Sequence, residues 1–199
     1  MNSHRPSGYR RPATLGEALR LLVEPGSTVL AGGTWLNGGR GGPARAPVVM
    51  VDLQALRLSG IESVAAGVLR IEAMTTFQQV VDEERVPTAV REAARRAEPS
   101  TFRAIATLGG YVATAEPSSE LLASLLVHDA IVELAASDRT LTLPLAELLS
   151  EPSQLTDRIV TAVTIETTGI SAAARVDCTR ADRPIVAAVA RRLSCGAVR

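Results

Sequence analysis

Apolar residues recur with two different periods along the N-terminal part of the chain, which predicts a small unit of mixed helix and strand. Thr14 and Glu17 have the spacing of a capping box, and apolar residues on one face follow them, so a helix is expected there. Two apolar runs of strand length come next, Thr28–Ala31 and Val48–Leu53, and the second has the pattern of a strand buried on both faces. Together these elements predict an α/β unit over residues 13–55.

Helical and strand patterns then alternate in a mixed order that favours antiparallel pairing. Strands are predicted at Ile61–Val64, Val68–Ala73, Ala130–Ala136, Arg139–Leu143 and Arg158–Glu166; helices are predicted after Thr75 or Thr76 through about Glu84, at Pro87–Ala97, at Glu120–His128 after Ser118 or Ser119, and at Pro144–Leu149. This order predicts a second, α+β subdomain over residues 56–168. Residues 1–12 are expected to form a flexible tail. The last apolar run, Pro184–Ala190, is expected to be a strand without a downstream partner.

Two glycine-rich turns carry the main functional signal. The first follows Thr28 and contains Gly32, Gly33, Gly38, Gly39, Gly41 and Gly42; the second is Thr107–Gly110. Glycine permits positive φ and lets a ligand approach the backbone, and successive N–H groups in such turns can converge on an anion. Two such turns suggest one diphosphate ligand held from two sides. Taken alone, the first also fits an exposed surface loop and the second a tight hairpin.

Composition narrows the class of protein. The 21 arginines balance 21 acidic residues and there is no lysine, so the chain has no strong basic field for nucleic acid and no Schiff-base or P-loop lysine. No apolar run approaches the roughly 18–20 residues that span a bilayer. The N-terminus lacks the apolar segment of a signal peptide, which favours a cytoplasmic location.

The chain also lacks the side-chain groupings of a catalytic centre or a metal site. Cys178 and Cys195 are too few for an iron–sulfur cluster or a structural zinc site and are expected to be free thiols. His4 and His128 have no spacing that indicates a metal site, and no Ser/His/Asp or Cys/His arrangement is evident. A bound cofactor could carry the chemistry instead.

Both glycine segments lie in motifs that resemble a known family. AGGTWL (Ala31–Leu36) and ATLGGYVATAEPSSEL (Ala106–Leu121) resemble the two FAD-binding motifs of the flavoprotein, or medium, subunits of molybdenum hydroxylases, the carbon monoxide, xanthine and aldehyde dehydrogenase type. Further similarity is found in VDL after the first loop, in LRIEAMTTF, in Phe102-Arg103 and in the stretch from Arg183 to Ala190. The resemblance covers about residues 13–199.

This resemblance implies an FAD-binding fold of two α/β subdomains, with the dinucleotide between them and its diphosphate held by backbone amides of both motifs. The matching positions are Ala31, Gly32, Gly33, Thr34, Trp35, Leu36, Thr107, Leu108, Gly109, Gly110, Ser118 and Glu120. Residues 169–199 would then begin a C-terminal domain that is largely absent. No catalytic side chain is expected, because the flavin would carry the chemistry.

The family role implied is electron transfer within a larger complex. Molybdopterin would be on a large partner subunit and [2Fe–2S] clusters on a small one, and electrons would pass through FAD to NAD⁺, a quinone or O₂. A second hypothesis is a truncated paralogue that binds no flavin and acts as a structural or assembly partner. A third is a separate flavoprotein that dimerises through Pro184–Ala190.

Several positions depart from the family pattern and have two interpretations. Trp35 replaces Asp or Ser, Ala104 and Tyr111 replace Asn, and Glu120 replaces Asp. The rings of Trp35 and Tyr111 could stack on a flavin or pack in the core. Glu120 could bind the cofactor or favour its helix through the helix dipole. Arg103 could contact the cofactor or form a salt bridge with a nearby acid such as Glu98 or Glu120.

Overall fold

The structure is a computed structural model that describes residues 8–37, 49–177 and 184–199. Its strands are β1 (Gly8–Arg10), β2 (Ser27–Leu30), β3 (Val49–Asp52), β4 (Ile61–Ala65), β5 (Val68–Glu72), β6 (Ile131–Ala135), β7 (Thr140–Pro144), β8 (Ile159–Glu166), β9 (Ile170–Val176) and β10 (Val186–Arg192). Its helices are α1 (Leu15–Leu22), α2 (Thr34–Asn37), α3 (Phe77–Asp82), α4 (Thr88–Ala97), α5 (Ser100–Arg103), α6 (Leu108–Val112), α7 (Glu120–Val127) and α8 (Leu145–Ser150). Short 3₁₀ turns occupy Leu53–Leu56 and Pro152–Leu155.

The strands form three sheets. The first is parallel with the order β1-β3-β2, and the second is antiparallel with the order β4-β5-β8-β6-β7. The third is the antiparallel pair β9 and β10, here called the C-terminal hairpin. The α+β class predicted from the sequence is therefore confirmed. Within the described ranges, no helix has the length and apolar character needed to cross a membrane.

The small parallel unit is joined to the larger sheet by a shared apolar cluster. Thr14 is the N-cap of helix α1, and its Oγ1 accepts a hydrogen bond from the backbone N–H of Glu17 at 3.2 Å. Buried Leu19 of α1 belongs to one cluster with Val51 of β3 and with Ile159 of β8. Because one cluster includes both sheets, the two units bury apolar surface together.

The main core lies between the five-stranded sheet and the helices α3, α4, α6, α7 and α8. Helix α3 begins with a complete capping box between Thr76 and Gln79, as the sequence spacing predicts. Phe77, at the first position of α3, is fully buried and meets the ring of Tyr111 edge-on, with centroids 5.2 Å apart. Ser119 is the N-cap of helix α7, and its Oγ accepts a hydrogen bond from the backbone N–H of Leu122 at 3.0 Å.

Two local predictions at the N-terminus and at the second glycine segment are wrong. Gly8–Arg10 is strand β1 and not part of a flexible tail. It is mostly exposed and has no apolar alternation, but it pairs with β3, and the hydroxyl of Tyr9 donates to the carboxylate of Asp52 on that strand. Thr107–Gly110 is not a turn, because Thr107 is the N-cap of helix α6. Gly109 fits there since a Cβ would lie 2.4 Å from Cβ of Ala73.

The expectation of an unpaired strand at Pro184–Ala190 is also wrong. Strand β10 pairs along its whole length with β9, which precedes it in the chain, in a register that joins Val186 to Val176 and Arg192 to Ile170. The sequence analysis missed β9 because its centre is three consecutive alanines, which have low β-propensity.

A buried arginine fastens the C-terminal hairpin to the rest of the fold. The side chain of Arg191 is completely buried, and its guanidinium donates to five acceptors. Nε donates to the carbonyl of Thr168 at 2.8 Å, and Nη1 to the carbonyl of Val127 and to Asp129. Nη2 donates to Glu166 at 2.9 Å and to the hydroxyl of Thr168 at 3.0 Å. All five N–H donors are thus used, as a buried charge requires.

His128 makes a second contact between α7 and the hairpin region. Its Nδ1 lies 2.6 Å from the carbonyl oxygen of Glu166, which can only accept, so Nδ1 carries the proton. Its Nε2 lies 3.0 Å from Oγ of Ser171 and accepts from that hydroxyl when the ring is neutral. Burial lowers the pKa of His128 below its ordinary value of 6.5, because the charged form loses hydration.

We expect this lowered pKa to make the protein less stable in mild acid. Below pH 6.5 the unfolded chain binds a proton at this position more readily than the folded chain. The free energy of unfolding therefore decreases as the pH is lowered, until the pH lies below the pKa of His128 in the folded chain. His128→Gln should remove this part of the pH dependence. Urea denaturation of the wild type and of His128→Gln at pH 7.5 and pH 5.5 measures it. Equal pH dependence in wild type and His128→Gln would contradict the assignment.

Candidate functional site

A large cavity lies where the small parallel unit meets the helical layer. Its volume is about 690 Å³, within the range of sites for small molecules and cofactors. Its walls come from β2 and the residues that follow it, from the end of α4, and from parts of the segment 103–121. Arg175 of the C-terminal hairpin and Pro184 complete the lining. The cavity therefore draws on elements from most of the chain.

The first glycine motif borders this cavity along its whole described length. Residues 31–36, which are Ala31, Gly32, Gly33, Thr34, Trp35 and Leu36, all line it. Gly33 has a φ of 71°, in the left-handed region that favours glycine. A Cβ on Gly32 would lie 1.9 Å from the carbonyl oxygen of Ile105, so only glycine allows this approach. The other four glycines of the motif, Gly38, Gly39, Gly41 and Gly42, lie outside the described residues.

The second glycine motif contributes to the cavity in a different way from the one predicted. Thr107 and Gly110 line it, whereas Leu108 and Gly109 do not. The N–H groups of Leu108 and Gly109 donate to carbonyls of the β5–α3 connection at 2.9 and 2.8 Å. The N–H of Gly110 donates to Oγ1 of Thr107 at 3.3 Å. These three amides are engaged within the protein, so the interpretation of this segment as a backbone anion cradle does not fit its hydrogen bonds.

Ser118 and Glu120 also line the cavity, and both have partners in the protein. The hydroxyl of Ser118 donates to Glu116 at 2.9 Å. The carboxylate of Glu120 is almost fully buried and forms ion pairs with Arg96 of α4 and with Arg175 of β9, the latter at 3.5 Å. Glu120 therefore joins α7, α4 and the C-terminal hairpin, and two guanidinium groups balance its charge.

The structure tests one of the two interpretations of Arg103, the salt bridge. Among the described residues it forms no ion pair with a carboxylate. Its Nε donates to Oε1 of Gln78 at 3.2 Å, and its Nη1 donates to the backbone carbonyls of Arg95 and Glu98 at 3.2 and 3.3 Å. The predicted salt bridge with an acid is therefore wrong, and Arg103 is instead a cavity-lining cation held by neutral acceptors.

The two aromatic rings at the cavity occupy different environments. Tyr111 lines the cavity and also packs against Phe77 in the main core. Trp35 is 39% exposed and lies on the cavity rim. Core packing thus accounts for Tyr111, while Trp35 remains accessible to a ligand.

Sequence reasoning missed two residues that shape this site, Arg96 and Arg175. Arg96 follows Arg95 at the basic end of α4, and its contact with Glu120 joins two residues that are far apart in the sequence. Arg175 has no local signal, because its contact with Glu120 exists only once the hairpin has formed. Long-range ion pairs of this kind leave no periodic trace in a sequence.

Known proteins match both the sequence and the fold. The family described as "FAD binding domain in molybdopterin dehydrogenase" matches residues 4–167. The putative xanthine dehydrogenase FAD-binding subunit XdhB of Escherichia coli (strain K12) is 32% identical over 133 residues, which are 64% of this chain and 46% of that protein. The uncharacterized protein YgfM of the same strain is 30% identical over 161 residues, 79% of this chain and 58% of that protein. The chain spans about half the length of these curated relatives.

Two solved structures share the fold. Carbon monoxide dehydrogenase from Hydrogenophaga pseudoflava, in a form that lacks the Mo-pyranopterin moiety, aligns with a TM-score of 0.86 at 21% identity over 98% of this chain and 72% of that chain. Quinoline 2-oxidoreductase from Pseudomonas putida 86 aligns with a TM-score of 0.85 at 21% identity over 95% and 69%. With the sequence match over most of its length, the chain belongs to the family of FAD-binding domains of molybdopterin dehydrogenases.

Proposed function

We propose that this chain binds FAD in the 690 Å³ cavity and acts as the electron-transfer flavoprotein subunit of a molybdenum hydroxylase-type dehydrogenase. The observation that carries the proposal is that both glycine motifs of the family, at residues 31–36 and 107–110, border one cavity. Membership of the FAD-binding family supports the choice of cofactor.

The residues of the cavity fit the chemistry of FAD. The phosphates of a dinucleotide must come close to the protein backbone, and Gly32 and Gly33 allow this because they have no side chain. It needs positive charge near the diphosphate, and Arg103 and Arg175 line the same space. It needs apolar surface for its planar rings, and Trp35 offers an accessible ring at the rim.

Bound FAD would supply the redox chemistry, and the side chains of this chain would bind and orient it. In this proposal the segment Ala31–Leu36 binds the diphosphate of FAD. The rest of the ligand lies next to Thr107, Gly110, Ser118 and Glu120. Leu108 and Gly109 do not contact the ligand and support the cavity wall by packing. Partner subunits carry molybdopterin and [2Fe–2S] clusters, and an external acceptor such as NAD⁺, a quinone or O₂ takes up the electrons.

A second candidate function is that of a structural or assembly partner that binds no flavin. The engaged amides of Leu108, Gly109 and Gly110 favour it, since these groups offer nothing to a diphosphate. The charge balance at Glu120 favours it as well, because that carboxylate already has two arginine partners.

A flavin titration separates the two functions. We expect the purified chain, mixed with FAD and desalted, to retain an oxidised-flavin absorption band with about one FAD per chain, as a single-site cavity of this size predicts. Trp35 is the only tryptophan of the chain and lies on the cavity rim, so its fluorescence should fall as FAD binds. A colourless product with unchanged tryptophan fluorescence would favour the structural partner.

Substitution of Gly32 tests the geometry of the site. We expect Gly32→Ala to lose FAD retention and to lower the free energy of unfolding by about 1–3 kcal/mol, because the new Cβ would overlap the Ile105 carbonyl. Gly16→Ala in α1 is the matched control, since its Cβ would meet only a side-chain nitrogen of Arg20 at 3.9 Å. It should keep wild-type FAD binding and gain roughly 0.5–1 kcal/mol of stability. Equal flavin occupancy and melting temperature in the two variants would contradict the model of the site.

A further inference from the structure

The cavity wall contains four arginines, and one of them differs from the others in its partners. The lining arginines are Arg95, Arg96, Arg103 and Arg175. Arg95 pairs with Glu92, Arg96 with Glu92 and Glu120, and Arg175 with Glu120 and Asp177. Arg103 pairs with no carboxylate in the described part of the chain. Among these four lining arginines, Arg103 is therefore the one without a direct ion pair to a described carboxylate, although Glu98 and Glu116 also line the cavity.

The guanidinium of Arg103 is nevertheless held in place. Nε donates to the amide oxygen of Gln78, and Nη1 donates to two backbone carbonyls at the end of α4, those of Arg95 and Glu98. All three acceptors are neutral, so they fix the group without cancelling its charge. Nη2 has no acceptor among the described residues, and its two N–H donors are available to a ligand.

The position of Arg103 along the chain places it beside the first glycine motif. Ile105, two residues further on, presents the carbonyl that Gly32 approaches so closely that a Cβ would lie 1.9 Å from it. The same segment continues into Thr107–Gly110, where the amides of Leu108, Gly109 and Gly110 are already engaged. If this segment helps to hold an anion, a side chain must do so in place of the backbone.

We propose that Arg103 binds the diphosphate of the dinucleotide through Nη2 and supplies the charge that the second glycine motif does not. The inference rests on the proposed function, since it assumes a dinucleotide in the cavity. A guanidinium forms strong charge-assisted bonds to phosphate oxygens, and one that is already oriented loses little side-chain entropy when the ligand arrives. The partly enclosed cavity strengthens the attraction because water screens it less.

The test compares Arg103→Gln with Arg85→Gln, using ADP and FAD as probes in calorimetric titrations. ADP carries the diphosphate without the flavin. We expect Arg103→Gln to weaken the binding of both probes by about tenfold or more, the size expected for one charge-assisted bond. Arg85→Gln removes an exposed arginine that pairs with Glu83 and does not line the cavity, and we expect a loss below about threefold, as for an exposed pair.

Salt dependence and a conservative variant exclude a merely structural role. Raising the salt concentration should weaken ADP binding to the wild type more than to Arg103→Gln, because one ionic contact has been removed. Arg103→Lys should keep part of this salt dependence. A residue that only caps α4 would lower the melting temperature and leave ADP affinity and its salt dependence unchanged in the folded variant, and this result would overturn the inference.

Failure of the inference can be distinguished from failure of the proposed function. Wild-type protein that binds neither FAD nor ADP overturns both. Wild-type binding that Arg103→Gln retains, or that Arg85→Gln loses to the same extent, overturns the role of Arg103 alone. Circular dichroism at the titration temperature confirms that each variant is folded.

Discussion

The close approach of Gly32 to the carbonyl of Ile105 is the contact on which the site depends. At this point the loop after β2 meets the segment before α6 with no room for a Cβ atom. A Cβ on Gly110 would also lie 3.4 Å from Cβ of Ala31, so the two glycine motifs are in close contact at a second point. Because backbone meets backbone here, neither segment can shift without opening the wall. The cavity thus exists as a consequence of packing between two segments far apart in the chain.

The glycines of the two motifs do different work. Gly33 adopts a left-handed conformation beside the cavity, whereas Gly109 lies in a helix where its missing Cβ makes space for Ala73. A sequence motif cannot separate these roles, since glycine is required in both cases. The hydrogen bonds distinguish these two roles, because the amides of Leu108 and Gly109 donate to carbonyls of the β5–α3 connection.

Much of the fold follows from local pattern, and the exceptions have physical reasons. The capping box at Thr76 and the apolar strand β8 could be predicted because their signals are local or periodic. Strands β1 and β9 could not, since one is mostly exposed and the other is rich in alanine, so pairing with a neighbour and not side-chain pattern decides their conformation. In the same way, residues 31–36 could be assigned to the cavity from their motif, while Arg175 reaches it only through the hairpin.

The fastening of the C-terminal hairpin has a thermodynamic consequence for the cavity. Arg191 anchors the hairpin with five hydrogen bonds to residues that do not line the cavity, and Arg175 of the same hairpin forms part of the wall. A ligand that contacts Arg175 can make all of its contacts only when the C-terminal hairpin is packed against the rest of the fold, that is, docked. Binding and docking then favour each other by the same coupling free energy. For a ligand that contacts Arg175, Arg191 would thereby affect affinity through the population of the docked hairpin, without contacting the ligand.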